Sequence, residues 1–186
     1  MYNRKDSYYT KAKQEGFRAR SSYKLLEIQQ KYKIIKPTDS VLDIGCAPGS
    51  WLQVVKKLTR GYILGIDIVK IKPMRGINFI QEDINKFKID KKFNTVLSDI
   101  APKTTGIRHL DQEQSYELTE QSYEVAKKYL KYGGNFVVKT FQSENTQKLI
   151  RKMKPHFKLV KTFVPKSTRP SSKEIYIIAL GNQHKS

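Results

Sequence analysis

Three carboxylates and one ammonium stand where short apolar runs end: Asp67 after 62–66, Asp83 just beyond 77–80, Asp99 after 94–97 and Lys139 after 135–138. Carboxylates in such places accept hydrogen bonds from sugar hydroxyls or hold an amine, and a lysine among them can orient a hydroxyl or take its proton. In open parallel sheets the ligand lies beyond the carboxyl ends of the strands, so these four groups would gather around it.

Upstream of all four is the turn Val41-Leu42-Asp43-Ile44-Gly45-Cys46-Ala47-Pro48-Gly49-Ser50-Trp51. An apolar run ends in an acid, and a Gly-Cys-Ala-Pro-Gly turn then releases the chain into an amphipathic stretch, which reads as strand, turn, helix. The turn lacks the Gly-x-Gly-x-x-Gly spacing, and Pro48 removes an amide that could bind pyrophosphate. No Walker A pattern occurs. A dinucleotide is therefore disfavoured. A cofactor without phosphates, such as S-adenosylmethionine, needs close backbone approach at Gly45 and Gly49 and carboxylates such as Asp43 for its polar groups. Asp67 follows the turn by about 20 residues, the spacing at which a carboxylate meets ribose hydroxyls. A lone turn of this kind is equally an ordinary strand-to-helix connection; Asp67 and Asp83 together move the balance to a cofactor site.

The elements that must position these groups alternate. Segments 20–32, 51–58, 112–132 and 144–153 read as helices, the third stopping at Gly133-Gly134. Segments 41–44, 62–66, 77–80, 94–97, 135–138, 157–164 and 174–180 read as strands. Such alternation predicts an α/β fold, Rossmann-like, with a central mostly parallel sheet and helices on both faces. The last two strands have no helix between them and predict an antiparallel arrangement at one edge. The 186 residues, 38% of them hydrophobic, supply one core, so a single domain over 1–186 is expected.

Charge is the strongest compositional fact. Against 17 acidic residues stand 36 Lys and Arg, a net +19. Release of counterions from neutralised phosphates makes a polyanion the natural partner, although a general lysine bias gives a similar excess. Distribution favours the polyanion. Arg4, Lys5, Lys11, Lys13, Arg18 and Arg20 interleave with Tyr2, Tyr8, Tyr9, Phe17 and Tyr23, and Lys161, Lys166, Arg169 and Lys173 cluster near the far end. Basic groups mixed with aromatics suit phosphate contact with base stacking, so 1–20 reads as an RNA-binding arm. No run approaches the roughly 20 apolar residues of a membrane span, and no signal-peptide pattern opens the chain. The single cysteine, Cys46, agrees with a reducing, cytoplasmic setting. His109, His156 and His184 lack metal-ligand spacing, so no metal is expected.

Five ordered motifs resemble the FtsJ-like family of ribose 2′-O-methyltransferases. They are Arg20-Ser21-Ser22-Tyr23-Lys24-Leu25, the turn from Leu42 to Trp51, Ser98-Asp99-Ile100-Ala101-Pro102, Val137-Val138-Lys139-Thr140-Phe141-Gln142, and the stretch from Ser167 to Tyr176. The resemblance implies an S-adenosylmethionine-dependent methyltransferase with a Lys-Asp-Lys-Glu tetrad at Lys24, Asp99, Lys139 and Glu174. It also implies cofactor contacts at Gly49, Trp51, Asp67, Asp83 and Asp99. Ser50 stands where bacterial rRNA enzymes of the family commonly carry a second glycine.

In that chemistry a ribose 2′-hydroxyl attacks a sulfonium methyl in line, and a poorly acidic proton must be removed. Lys139 is the expected base. A free lysine is protonated at neutral pH, so a lysine base needs surroundings that favour its neutral form; alternatively a charged Lys139 orients the hydroxyl while water takes the proton late. Asp99 and Glu174 are assigned positioning roles, with Glu174 the more dispensable. Singly, each has a plain reading: Lys24 as a solvated helix lysine, Glu174 as an edge-strand charge, Asp99 as a turn starter. A monomer acting on a uridine of large-subunit rRNA is the first expectation, an anticodon-loop ribose of tRNA the second, and a noncatalytic RNA-binding assembly factor the third.

Overall fold

Val41–Ile44 (β1) is buried at every position, as a short apolar run flanked on both sides by other strands must be. The computed structural model describes residues 7–102 and 105–184. In chain order the elements are α1 (Ser7–Gln14), α2 (Ser22–Tyr32), β1, α3 (Ser50–Leu58), β2 (Ile63–Asp67), β3 (Asn78–Gln81), β4 (Phe93–Ser98), α4 (Arg108–Tyr129), β5 (Leu130–Phe141), α5 (Glu144–Met153), β6 (Phe157–Phe163) and β7 (Glu174–Asn182). One seven-stranded sheet runs β3-β2-β1-β4-β5-β7-β6. Pairings among the first five strands are parallel, and β7 is antiparallel to both its neighbours. The reversed strand therefore sits one place in from the edge, with β6 outside it.

Strand alternation divides the core. Leu42, Ile44, Val96, Phe136, Val138 and Ile177 face the apolar sides of α4 and α5. Val41, Leu97, Val137, Tyr176 and Ile178 face α2 and α3. Helices thus cover both faces. In α3 the spacing of Trp51, Leu52, Val54 and Val55 lays an apolar stripe on the sheet, and Trp51 is almost fully buried. Truncating Trp51 to alanine would cost about 3–5 kcal/mol. At the start of α5 the Ser143 hydroxyl accepts the Thr146 N–H at 3.1 Å, fixing that end just past β5.

The sequence pattern misplaces one boundary. Helix α4 ends at Tyr129, and Gly133-Gly134 lie inside β5. Pairing runs from Phe93 with Leu130 to Thr95 with Asn135, so β5 carries extra residues in a bulge. Gly133 has φ +75°, and a Cβ at Gly134 would stand 2.8 Å from the Asn94 carbonyl oxygen. The two glycines serve that close passage of strands. At its other end α4 reaches back to Arg108, and Asp111 in its first turn accepts the Thr105 N–H and hydroxyl at 2.7 and 2.8 Å. Helix α1, to which the pattern assigned no element, buries Ala12 against the α2–α3 face. Among the described residues no helix is long and apolar enough to cross a membrane.

Candidate active site

Asp99 follows β4, Lys139 lies near the end of β5 and Glu174 opens β7. These are neighbouring strands, and β7 runs backwards, so its beginning lies beside the end of β5. By alternation all three side chains fall on the face covered by α2, which supplies Lys24. Lys24 and Glu174 form an ion pair, their side chains 12% and 14% exposed. The Lys139 Nζ lies 3.2 Å from Asp99 Oδ1 and donates to the Asp99 backbone oxygen at 2.7 Å. Two ion pairs, drawn from residues up to 150 positions apart, thus meet at the carboxyl ends of β4 and β5.

Tyr176 joins them. It is paired with Lys139 across β5 and β7 and is fully buried. Its hydroxyl donates to Asp99 Oδ1 at 2.7 Å, and the Lys24 ammonium lies 5.8 Å from its ring centroid. Behind it stands Trp51, centroids 5.8 Å apart, with the indole N–H donated to the Ser21 backbone oxygen at 2.8 Å. Burial first, then the charges of Asp99 and Glu174, push the Tyr176 phenol far above its ordinary pKa, so it remains a hydrogen-bond donor. The sequence reading overlooked Tyr176. Its signal was present, because a residue two places beyond Glu174 on a strand shares its face.

A cavity of about 580 Å³ lies next to this cluster, because the residues after Asp99 form its wall. Gly45, Asp67, Asp83, Ile84, Ile100 and Pro102 contribute to its lining, with Leu118 and Gln121 from α4. Gly45 has φ +66°, and a Cβ there would meet the Ile100 Cβ at 2.7 Å, so only glycine permits the turn to pass this wall. Asp67 holds the turn: its carboxylate accepts the Ala47 N–H and the Val69 N–H, each at 2.8 Å. Asp83 accepts the Asn85 N–H at 2.8 Å. Asp43 is fully buried beneath the turn, and neither of its oxygens has a hydrogen-bond partner among the described residues. Burial, reinforced by Asp99 and Asp67, raises its pKa well above the usual carboxylate range.

Of the seven residues expected to contact a cofactor, Gly45, Asp67 and Asp83 line this cavity, whereas Asp43, Gly49, Trp51 and Asp99 do not. Gly49, at φ +99°, instead packs where a Cβ would strike the guanidinium of Arg18 at 2.9 Å. Trp51 is a buried support for Tyr176. The apolar wall Ile100-Ala101-Pro102 and the α4 residues went unrecognised as lining, since nothing in their local pattern marks them.

Beside Lys24, a basic groove runs along α2 toward the β6–β7 connection, lined by Tyr8, Lys11, Tyr23, Lys31, Phe163 and Lys166. Glu27 closes it by accepting the N–H groups of Lys166 and Ser167 at 2.6 and 2.9 Å. Arg20 donates to the Ser167 carbonyl, and its guanidinium pKa is lowered by burial and then by the neighbouring charge of Arg169. Tyr2, Arg4 and Lys5 lie outside the described residues.

A family profile described as FtsJ-like methyltransferase matches residues 17–182. Among curated relatives, a ribosomal RNA large subunit methyltransferase E of Methanosarcina acetivorans is 44% identical over 185 residues, covering 95% of this chain and 68% of its own. A protein of the same name from Bdellovibrio bacteriovorus is 44% identical over 195 residues, covering 98% and 99%. A crystal structure of a ribosomal RNA methyltransferase from Plasmodium falciparum superposes with a TM-score of 0.81 at 33% identity, over 91% of this chain and all of the other.

Proposed function

This chain belongs to the FtsJ-like methyltransferase family, and on that premise we propose that it methylates the 2′-hydroxyl of an RNA ribose using S-adenosylmethionine. The acceptor is a uridine, and its RNA is that of the large ribosomal subunit; the names of the relatives support the RNA and leave the base open. The observation that carries this reading is the meeting of the Lys24–Glu174 and Asp99–Lys139 pairs around Tyr176, beside a cavity walled by Ile100 to Pro102.

The cavity suits the cofactor. Asp67 and Asp83 offer acceptors for ribose hydroxyls, and Ile84, Ile100 and Pro102 offer an apolar slot for the adenine. When bound, S-adenosylmethionine supplies a methyl group made electrophilic by its sulfonium. Lys139, once it has given a proton to water, takes the proton of the 2′-hydroxyl at Nζ as the oxygen becomes a nucleophile. Asp99, fixed by Tyr176, holds Lys139 in place, and Lys24 with Glu174 bounds the acceptor from the α2 side.

Substrate RNA follows the basic groove. Lys11, Lys31 and Lys166, which line it, offer their charges to the phosphates. Residues 1–20 act as an RNA-contacting arm of a single methyltransferase domain, and the enzyme works as a monomer in the cytoplasm.

The test is transfer of a labelled methyl from S-adenosylmethionine to large ribosomal subunits isolated from cells lacking the protein, followed by mapping of ribose methylation. Lys139→Ala should reduce transfer by about 10²–10⁴-fold while calorimetry shows cofactor binding intact. Equal transfer by Lys139→Ala, or no transfer to RNA by the unaltered protein, would overturn the reading.

A further inference from the structure

A second hollow borders the tetrad, lined by residues that the cofactor cavity does not share. It measures about 430 Å³, within the range of small-ligand pockets, and is lined by Phe141 from β5, Gly106 just before α4, Asp111 and Gln112 from its first turns, and Ser171, Ser172 and Lys173 from the loop before β7. Its tie to the tetrad is covalent and direct. Phe141 is two residues beyond Lys139 and is paired with Glu174, so the two side chains share a face; the Glu174 N–H also donates to the Ser172 hydroxyl at 3.3 Å.

The lining is chemically distinct from the groove along α2. It combines one aromatic side chain, one amide, two hydroxyls, a single ammonium and the carboxylate of Asp111, whose Oδ1 already accepts from Thr105, whereas the groove carries several lysines. Phe141 stacks on no other ring among the described residues. Nor does the Gln112 amide have a hydrogen-bond partner there. Both are available to a guest.

Resting on the RNA reading above, we infer that this hollow receives the nucleobase of the acceptor nucleotide, stacked on Phe141 with its edge read by Gln112 and Lys173. The carbon bearing the base is bonded to the carbon bearing the 2′-hydroxyl. A ribose held at the tetrad must therefore place its base in an adjoining space. The cofactor occupies one such space, and the lysine-lined groove suits the phosphate chain. Only a donor, Lys173 favours a carbonyl oxygen over an exocyclic amine, and the Gln112 amide can meet an N–H and a carbonyl side by side. Uracil presents that edge; cytosine presents an amine where uracil has its O4 carbonyl. Lys173, which can only donate, therefore tilts the hollow toward uridine.

Large subunits carrying either uridine or cytidine at the mapped acceptor position test this, with kcat and KM measured for the intact protein and for variants. Phe141→Ala should lower kcat/KM on the uridine substrate by about fivefold to a hundredfold, the range of base–aromatic stacking, mainly through KM. Phe141→Tyr should restore most of it, and the cofactor Kd should stay within twofold in both. Lys173→Met, at an exposed position that places no burden on folding, should shrink the preference for uridine over cytidine by about fivefold. An unchanged preference in Lys173→Met overturns the inference, as does wild-type kcat/KM in Phe141→Ala. Failure of the unaltered protein to methylate either substrate instead removes the parent reading, so the two failures are told apart.

Discussion

The Tyr176 hydroxyl donates to Asp99 Oδ1 at 2.7 Å, the same oxygen that lies 3.2 Å from Lys139 Nζ. One carboxylate oxygen is thus held from two sides, by a buried neutral donor and by an ammonium. Tyr176→Phe keeps the ring against Trp51 and Lys24 but frees that oxygen to rotate away from Lys139. Loss of a hydrogen bond to a charged group costs about 1.5–3 kcal/mol when unreplaced, and Asp99 is near enough to solvent to recruit water in part. Turnover should fall about tenfold, with cofactor affinity within twofold and little change in unfolding midpoint. Steady-state methyl transfer and calorimetry on the same preparation check both halves.

Lys24 and Glu174 are unequal partners. Without Glu174, Lys24 still has the Tyr176 ring 5.8 Å away. Without Lys24, Glu174 loses its ion pair at a site only 14% exposed. Glu174→Gln should therefore lower kcat by about tenfold and Lys24→Ala by about a hundredfold or more. Equal losses in the two variants would show that the pair acts only as a unit.

Much of this site was legible because it is made of strand ends. β4 and the 135–138 part of β5 declare themselves as short apolar runs, and the faces of Asp99 and Lys139, next in sequence, are fixed by the alternation of side chains. What could not be read locally was the partnership. Lys24 finds Glu174 across 150 positions because β7 inserts backwards between β5 and β6, an order that no local pattern encodes. Tyr176 and Trp51 look like ordinary core aromatics in sequence, and one of them carries the hydroxyl that orients Asp99. Gly133-Gly134 misled for a related reason: glycine marks both a helix stop and a close passage of strands, and only the register of β4 against β5 separates the two.

Asp43 carries a stability cost that its position makes testable. Burial, then Asp99 and Asp67, raise its folded-state pKa well above that of the unfolded chain. The folded state therefore holds the proton more tightly, and the stability linked to Asp43 is fully present below the unfolded pKa and lost as pH rises toward the folded value. Asp43→Asn removes the titrating charge and keeps the shape. It should be more resistant to urea than the unaltered protein at pH 8, with the difference shrinking toward pH 4. A variant no more stable than the unaltered protein at pH 8 would place the burden elsewhere.

Gly45 offers a separate test of the cavity wall. A methyl group at this position would meet Ile100 at 2.7 Å on a backbone held at φ +66°. Gly45→Ala should destabilise the fold by about 1–3 kcal/mol, and the shift of Ile100 should weaken cofactor binding more than RNA binding.

RNA affinity itself should follow salt in proportion to the phosphates neutralised. Lys11, Lys31 and Lys166 line the groove along α2, and Lys166 is exposed at its far wall while its N–H is anchored to Glu27. Replacing Lys166 by alanine removes a side-chain charge and leaves that anchor in place. The slope of log K against log salt should become shallower by about 0.7–0.9, the contribution of one phosphate contact, with turnover at saturating RNA unchanged. Lys173→Met, by contrast, should alter the choice of acceptor base more than the slope, because its ammonium is aimed at a base edge. The two lysines, one in the groove along α2 and one in the hollow beside Glu174, are separated by these measurements into one that holds the chain and one that reads it.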